Sequence, residues 1–165
     1  IPRSSMRILG IDPALSITGY GLIEVSGTSF RLLEAGIIET AQKEGLPARL
    51  GKIYAAVGSI LEEFRPGAAV LEKIYSHYAH PATSCILGHA RGVICLACST
   101  AGISVAEYAA TRIKKAIVGK GLASKQQVQR MVLDLLGLKE TPAYMDITDA
   151  LALAIGHYFI GKSKI

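Results

Sequence analysis

The chain has 165 residues, half of them hydrophobic, and a formal net charge of +5. That length supports one domain with a full core, and the composition excludes a disordered tail or linker. The pI near 9.2 favours a polyanionic partner, with an ordinary basic protein as the plain alternative.

No internal repeat or Pro/Gly/Ser-rich stretch divides the chain, so residues 6–165 read as a single domain. The five residues before Met6, IPRSS, read as an expression remnant. Three cysteines, an odd number, argue against a disulfide framework and for a reducing compartment. Cys95 and Cys98 form a C-x-x-C inside an apolar stretch, where they read as small helix-core residues. Zinc would need two further ligands, and only Cys85 and His89 lie nearby. The stretch Cys85–Ala101 carries His89, Arg91 and several glycines, and reads as too short and too polar to span a membrane. With no signal or lipid motif read in it, the expectation is a soluble, cytoplasmic protein without a membrane partner.

Arg7–Ile11, Thr18–Val25 and Phe30–Thr40 read as three strands, joined as an antiparallel meander by turns after Asp12 and at Ser26–Ser29. Leu46–Phe64 shifts to helical spacing, with Leu50, Ile53, Tyr54, Val57, Ile60, Leu61 and Phe64 on one face, and Pro66-Gly67 stops it. Ala68–Glu72 is a short buried strand. A helix over Ala82–Ala101 follows, then a strand at Ile103–Ala106 and helices near Ala109–Val118, Ser124–Leu136 and Met145–Ile160. This order predicts an α/β layer fold, a mixed sheet covered by helices.

Asp12 interrupts an otherwise apolar strand, and an unpaired buried carboxylate costs several kcal/mol. Either it caps the turn at Pro13 or something positive faces it. Glu72 likewise ends an apolar strand, and in α/β sheets such strand ends are where sites assemble. Asp146 and Asp149, three residues apart, share one face of a predicted helix. In its first turn they suit the helix dipole, so capping is the plain alternative for this pair. The helix beyond Asp149 is apolar and must pack on the sheet, carrying its acids in. Clustered carboxylates repel unless protonated or bridged by a cation, and oxygen ligands without His or Cys suit Mg²⁺ or Mn²⁺. Two such ions about 4 Å apart are the usual device for in-line attack of water on a phosphodiester. The run Thr111–Arg130 holds Arg112, Lys114, Lys115, Lys120, Lys125 and Arg130 with no acid among them. An acid-lined metal site in a basic protein is what a nuclease needs.

The segments ILGIDPALSITGYGLIE, VLEKIY, LGHARGV, EYAATRIKKAIVGKGLASKQQVQRMV and DITDALALAI resemble, in order and spacing, the RuvC family of bacterial Holliday junction resolvases. The resemblance runs from about Met6 to about Tyr158. It implies the ribonuclease H fold: a five-stranded mixed sheet with helices on both faces. It also implies paired, metal-dependent cleavage of four-way DNA junctions in recombination and repair. The family's four metal-binding and catalytic acids fall on Asp12, Glu72, Asp146 and Asp149, holding two Mg²⁺ ions for which Mn²⁺ can substitute. A base-stacking aromatic falls on Tyr75, where covering the strand end is an equal alternative. Two lysines near the scissile phosphate fall on Lys114 and Lys125, and Lys120 joins them as a DNA-binding residue. Ala14 replaces the family's usual glycine after IDP. The loop after Tyr75 is one residue longer than usual, with His77 and His80 in place of Lys-Asn.

Paired cutting requires two active sites. The helix LGHARGVICLACSTAG offers Gly88, Ala90, Gly92 and Ala97 for close helix approach, which points to a two-fold homodimer through Gly88 and Gly92. The resemblance implies the same, and a branch-migration helicase as a further partner. The sugar kinase and actin-like ATPases share a loop like GIDPALSITGYG, but need two comparable domains that 165 residues cannot supply. A YqgF-like nuclease acting on structured RNA and a non-cleaving branched-DNA dimer are the remaining alternatives; GLASKQQV and DITD favour RuvC.

Overall fold

The computed structural model describes residues 5–74 and 80–163. Its strands are β1 Met6–Asp12, β2 Ile17–Ser26, β3 Ser29–Glu39, β4 Ala68–Glu72 and β5 Val105–Tyr108. The helices are α1 Leu46–Phe64, α2 Pro81–Thr100, α3 Ala110–Val118, α4 Lys125–Leu136 and α5 Met145–Lys162. The strands form one sheet in the order β3-β2-β1-β4-β5. The first three make the antiparallel meander, turned between β2 and β3 at Gly27 with φ 63°. β4 runs parallel to β1, and β5 parallel to β4.

Period-two alternation divides the core between the two faces of the sheet. Ile8 packs on one side with Val70, Leu151 and Ile155; Leu9 and Ile11 pack on the other with Ile53, Val57 and Ile94. The first face carries α3, α4 and α5, and the second α1 and α2. All nine of these side chains are at most 1% exposed, and each such burial contributes about 1.5–3 kcal/mol. From Ala150 to Ile155 every residue of α5 is buried, as expected of a helix sealed into a core.

β5 and α2 depart from the sequence reading, whereas α1 ends where that reading puts its end. β5 begins at Val105, two residues later than Ile103. Gly102 takes φ 71° after α2 and the Ile103 amide donates back to the Cys98 carbonyl, so Ile103 completes the helix exit instead of opening the strand. α1 ends on Arg65 in the left-handed conformation, φ 46°, because Pro66 disfavours the right-handed helical region for the residue before it. α2 spans 20 residues and, by length and composition alone, is long and apolar enough to cross a membrane, which corrects the reading of Cys85–Ala101 as too short. Ala90, Ile94, Ala97 and Cys98 on it are buried in the α1-side core. Its remaining apolar surface, Ile86 and Leu96, is about half exposed at 47% and 57%. The three cysteines are free, and burial pushes the Cys98 thiol up to about 11, as suits a core thiol.

Candidate active site

Alternation along β1 puts Asp12 on the Ile8 side of the sheet, the side that α5 covers. Three glycines let α5 lie flat there. A Cβ on Gly10 would stand 1.8 Å from the Ala150 carbonyl oxygen, one on Gly19 2.3 Å from that of Asp146, and one on Gly21 2.4 Å from the Leu151 side chain. Gly10 pairs with Gly21 across the β1–β2 ladder, and Asp12 pairs with Gly19. The first turn of α5 therefore crosses the strand end where Asp12 emerges. On the other flank the β1–β4 ladder runs to Ile11 beside Leu71, so Asp12 and Glu72 leave their strands as neighbours. Val70 faces the α5 core and Leu71 the opposite one, which returns Glu72 to the α5 side.

Among the described residues no hydrogen bond of Asp12 caps its turn, whereas Asp146 does lie in the first turn of α5, where the helix dipole favours an acid. The turn after Asp12 is closed by buried Thr18, whose hydroxyl accepts from the Ala14 amide at 3.2 Å and donates to the Ala14 carbonyl at 2.6 Å. Thr40 adds a hydroxyl bond to the Leu15 carbonyl at 2.5 Å. At α5 the N-cap position is Tyr144, with no side-chain capping bond.

The electrostatics match an acid cluster. Burial first, then the charges of Asp149, Asp146 and Glu72, push the Asp12 carboxyl up to about 7, with Lys125 opposing. Burial and Asp149 also raise Glu72, against Lys114 and Lys125. A cavity of about 390 Å³ is lined by Asp12, Glu72, Asp149, Lys125 and Arg91, among others. A second, of about 170 Å³, shares Glu72, Asp149 and Lys125 and adds Lys114. Asp146 lines neither and meets the cluster through its charge on Asp12. Lys125 Nζ stands 3.6 Å from Asp149 Oδ2. Among the described residues no three His, Cys, Asp or Glu side chains are drawn together into a ready metal shell.

The remaining predicted residues divide. Lys125 is the first residue of α4, fixed there by a capping box between Ser124 and Gln127. Lys114, on α3, reaches the second cavity. Lys120 is exposed between α3 and α4 and lines neither cavity. Gly88 and Gly92 are exposed on α2 with open space where a side chain would be. Tyr75 and His77 lie outside the described residues. Gly10, Gly19, Gly21 and Arg91 were not legible as site residues.

A family model described as crossover junction endodeoxyribonuclease RuvC matches residues 8–157. The chain belongs to the RuvC family. It is 42% identical over 158 residues to the crossover junction endodeoxyribonuclease RuvC of Rhodopirellula baltica, covering 95% of this chain and 89% of that protein. The structure of Thermus thermophilus RuvC superposes with a TM-score of 0.90 at 34% identity, covering 96% of this chain and 97% of that one. T. thermophilus RuvC in complex with Holliday junction substrate gives a TM-score of 0.91 at 34% identity, covering 96% of each chain. The fold is thus the ribonuclease H-like fold of RuvC, and the chain is a crossover junction endodeoxyribonuclease of a metal-dependent family.

Proposed function

We propose that this chain resolves four-way DNA junctions by paired phosphodiester hydrolysis in recombination and repair, with Asp12, Glu72, Asp146 and Asp149 as its metal-holding, catalytic acids. Holliday junction resolution is the function of the RuvC family to which it belongs. The observation that carries the assignment to these acids is their convergence: two strand ends and one helix turn bring them to one place, where burial first and then the charges of Asp149, Asp146 and Glu72 push Asp12 up to about 7.

The donor set fits a hard divalent cation, since it is all carboxylate and its mutual repulsion is relieved by positive charge. Mg²⁺ is the assigned ion, two per site, with Mn²⁺ as a substitute. Bound there, the metal supplies activation of water and neutralisation of charge at the scissile phosphate. Lys125 and Lys114 flank the acids and hold phosphate oxygens of the cut strand. Lys120 extends this basic surface to more distant phosphates, and Tyr75 stacks on a base exposed at the junction.

Two symmetric cuts need two such sites. The exposed face of α2, with Gly88 and Gly92 free of covering side chains, supports the homodimer reading. A branch-migration helicase complex is the further partner, and the place of action is the cytoplasm.

The test is a synthetic four-way junction incubated with the protein and Mg²⁺, beside a structured RNA, with nicks mapped on every strand. Paired, metal-dependent nicks in the junction and an intact RNA are expected. Cleavage of the RNA alone would support a YqgF-like nuclease, and junction binding without nicks a non-cleaving dimer.

A further inference from the structure

We propose that Arg91 is a positioning residue for the acidic site: from α2 it clamps the β4 strand end through the Glu72 carbonyl, with Glu107 as its anchor. The inference rests on the reading of Glu72 as a metal-holding acid.

Arg91 Nη1 donates to the Glu72 carbonyl oxygen at 2.7 Å, and Nη2 stands 2.6 Å from Glu107 Oε1. One guanidinium thereby joins α2, β4 and β5. Its side chain is only 13% exposed, yet it lines the same cavity as Asp12, Glu72 and Asp149. The place it grips matters. The β1–β4 ladder stops at Ile11 and Leu71, so Glu72 lies one residue beyond the last pair with β1. On the far side the Lys73 amide still donates to the Tyr108 carbonyl. Without Arg91 the Glu72 carbonyl loses its bond to α2, and the Glu72 side chain inherits any swing of that peptide.

The chemistry of the residue suits the task. Guanidinium is planar, permanently charged and presents its donors in a fixed fork, so it serves a carbonyl and a carboxylate at once; a lysine ammonium is a point charge on a flexible stem. Because Glu107 matches the charge of Arg91, the bond to Glu72 goes to the backbone and leaves the Glu72 carboxylate free for a cation. Groups that orient metal ligands in this way are typically worth about 10–100-fold in metal affinity or activity.

The test titrates the DNA-free protein with Mn²⁺, following the free-ion signal by electron paramagnetic resonance, and measures junction affinity without metal and nicking with it. Arg91→Ala should bind Mn²⁺ about ten-fold or more weakly and nick correspondingly less, with junction affinity unchanged. Arg91→Lys should recover part of the Mn²⁺ affinity, and Glu107→Gln, which loosens the anchor alone, should lose a smaller part. These two variants carry the test should Arg91→Ala not fold. Mn²⁺ binding at the wild-type level in Arg91→Ala, whatever its melting temperature, would overturn the proposal. So would a loss of junction affinity as large as the loss of nicking, which would make Arg91 a phosphate contact. If wild type binds no Mn²⁺, or Glu72→Gln nicks normally, the metal-site reading itself fails and this inference fails with it.

Discussion

Asp12 faces Gly19 across the β1–β2 ladder, and the space a side chain would occupy at Gly19 is filled by the backbone of Asp146. One glycine thus sets how closely the first of the four site acids approaches the third. Gly19→Ala would put a Cβ 2.3 Å from the Asp146 carbonyl oxygen, a contact with backbone that no rotamer relieves. The variant should lose about 1–3 kcal/mol of stability, as overpacked cores do, and should lose nicking out of proportion to that. Denaturant melts beside a nicking assay below the melting transition check both parts.

The raised Asp12 pKa makes stability depend on pH with a definite sign. Its folded value is about 7 and the ordinary value of an aspartate is 3.8, so between these the folded chain holds a proton the unfolded chain has released. Metal-free protein should therefore lose stability as pH rises from about 4 to about 7, by at most a few kcal/mol from this group, and level off above. Burial raises Glu72 in the same direction. Asp12→Asn should flatten the slope and, without metal, be as stable as wild type or more so at neutral pH. Added Mg²⁺ or Mn²⁺ should raise the wild-type melting temperature but not that of the variant. A wild-type stability that climbs steadily across this window would contradict the cluster.

Lys125 and Lys114 stand beside acids that the site needs ionised, Lys125 at 3.6 Å from Asp149. Changing either to Ala should slow nicking well beyond its effect on junction affinity. Lys120→Ala, at a position lining neither cavity, should instead weaken binding modestly and reduce its salt dependence by about one counterion. Single-turnover rates and binding titrations at several salt concentrations separate the two behaviours.

Gly92 is exposed on α2 with nothing within 4 Å of the place its Cβ would occupy. Gly92→Glu should keep or slightly raise monomer stability, since replacing a mid-helix glycine gains up to about 1 kcal/mol of helix propensity. It should nonetheless yield monomers by sedimentation and lose coordinated paired cuts. A wild-type monomer that still makes paired cuts would remove the dimer from the account.

Local pattern explains what the sequence made legible. The apolar run Ile8–Ile11 ending in Asp12, the spacing of Ile53, Val57 and Leu61, and the paired Asp146 and Asp149 are each visible within one element, and the elements stand where that reading puts them. What escaped depends on partners distant in the chain. Gly10, Gly19 and Gly21 look like ordinary strand glycines until α5 lies across them. Arg91 looks like a solvated helix residue until Glu72 and Glu107 arrive beside it. Ile103 has strand propensity, but the helix exit at Gly102 claims it first. The role of Thr18 as the closing residue of the Asp12 turn was hidden for a related reason: its partner Ala14 sits on the far side of a turn that sequence pattern does not define.

The most direct test of the acid cluster is Asp12→Asn on a four-way junction, with Mg²⁺-dependent nicking measured beside metal-free junction binding. The variant keeps the size and shape of the side chain and removes the charge that three other acids repel. Junction binding at the wild-type level with nicking abolished is the predicted result. Nicking at a near wild-type rate would contradict the account, and Asp12 would then have no part in the chemistry.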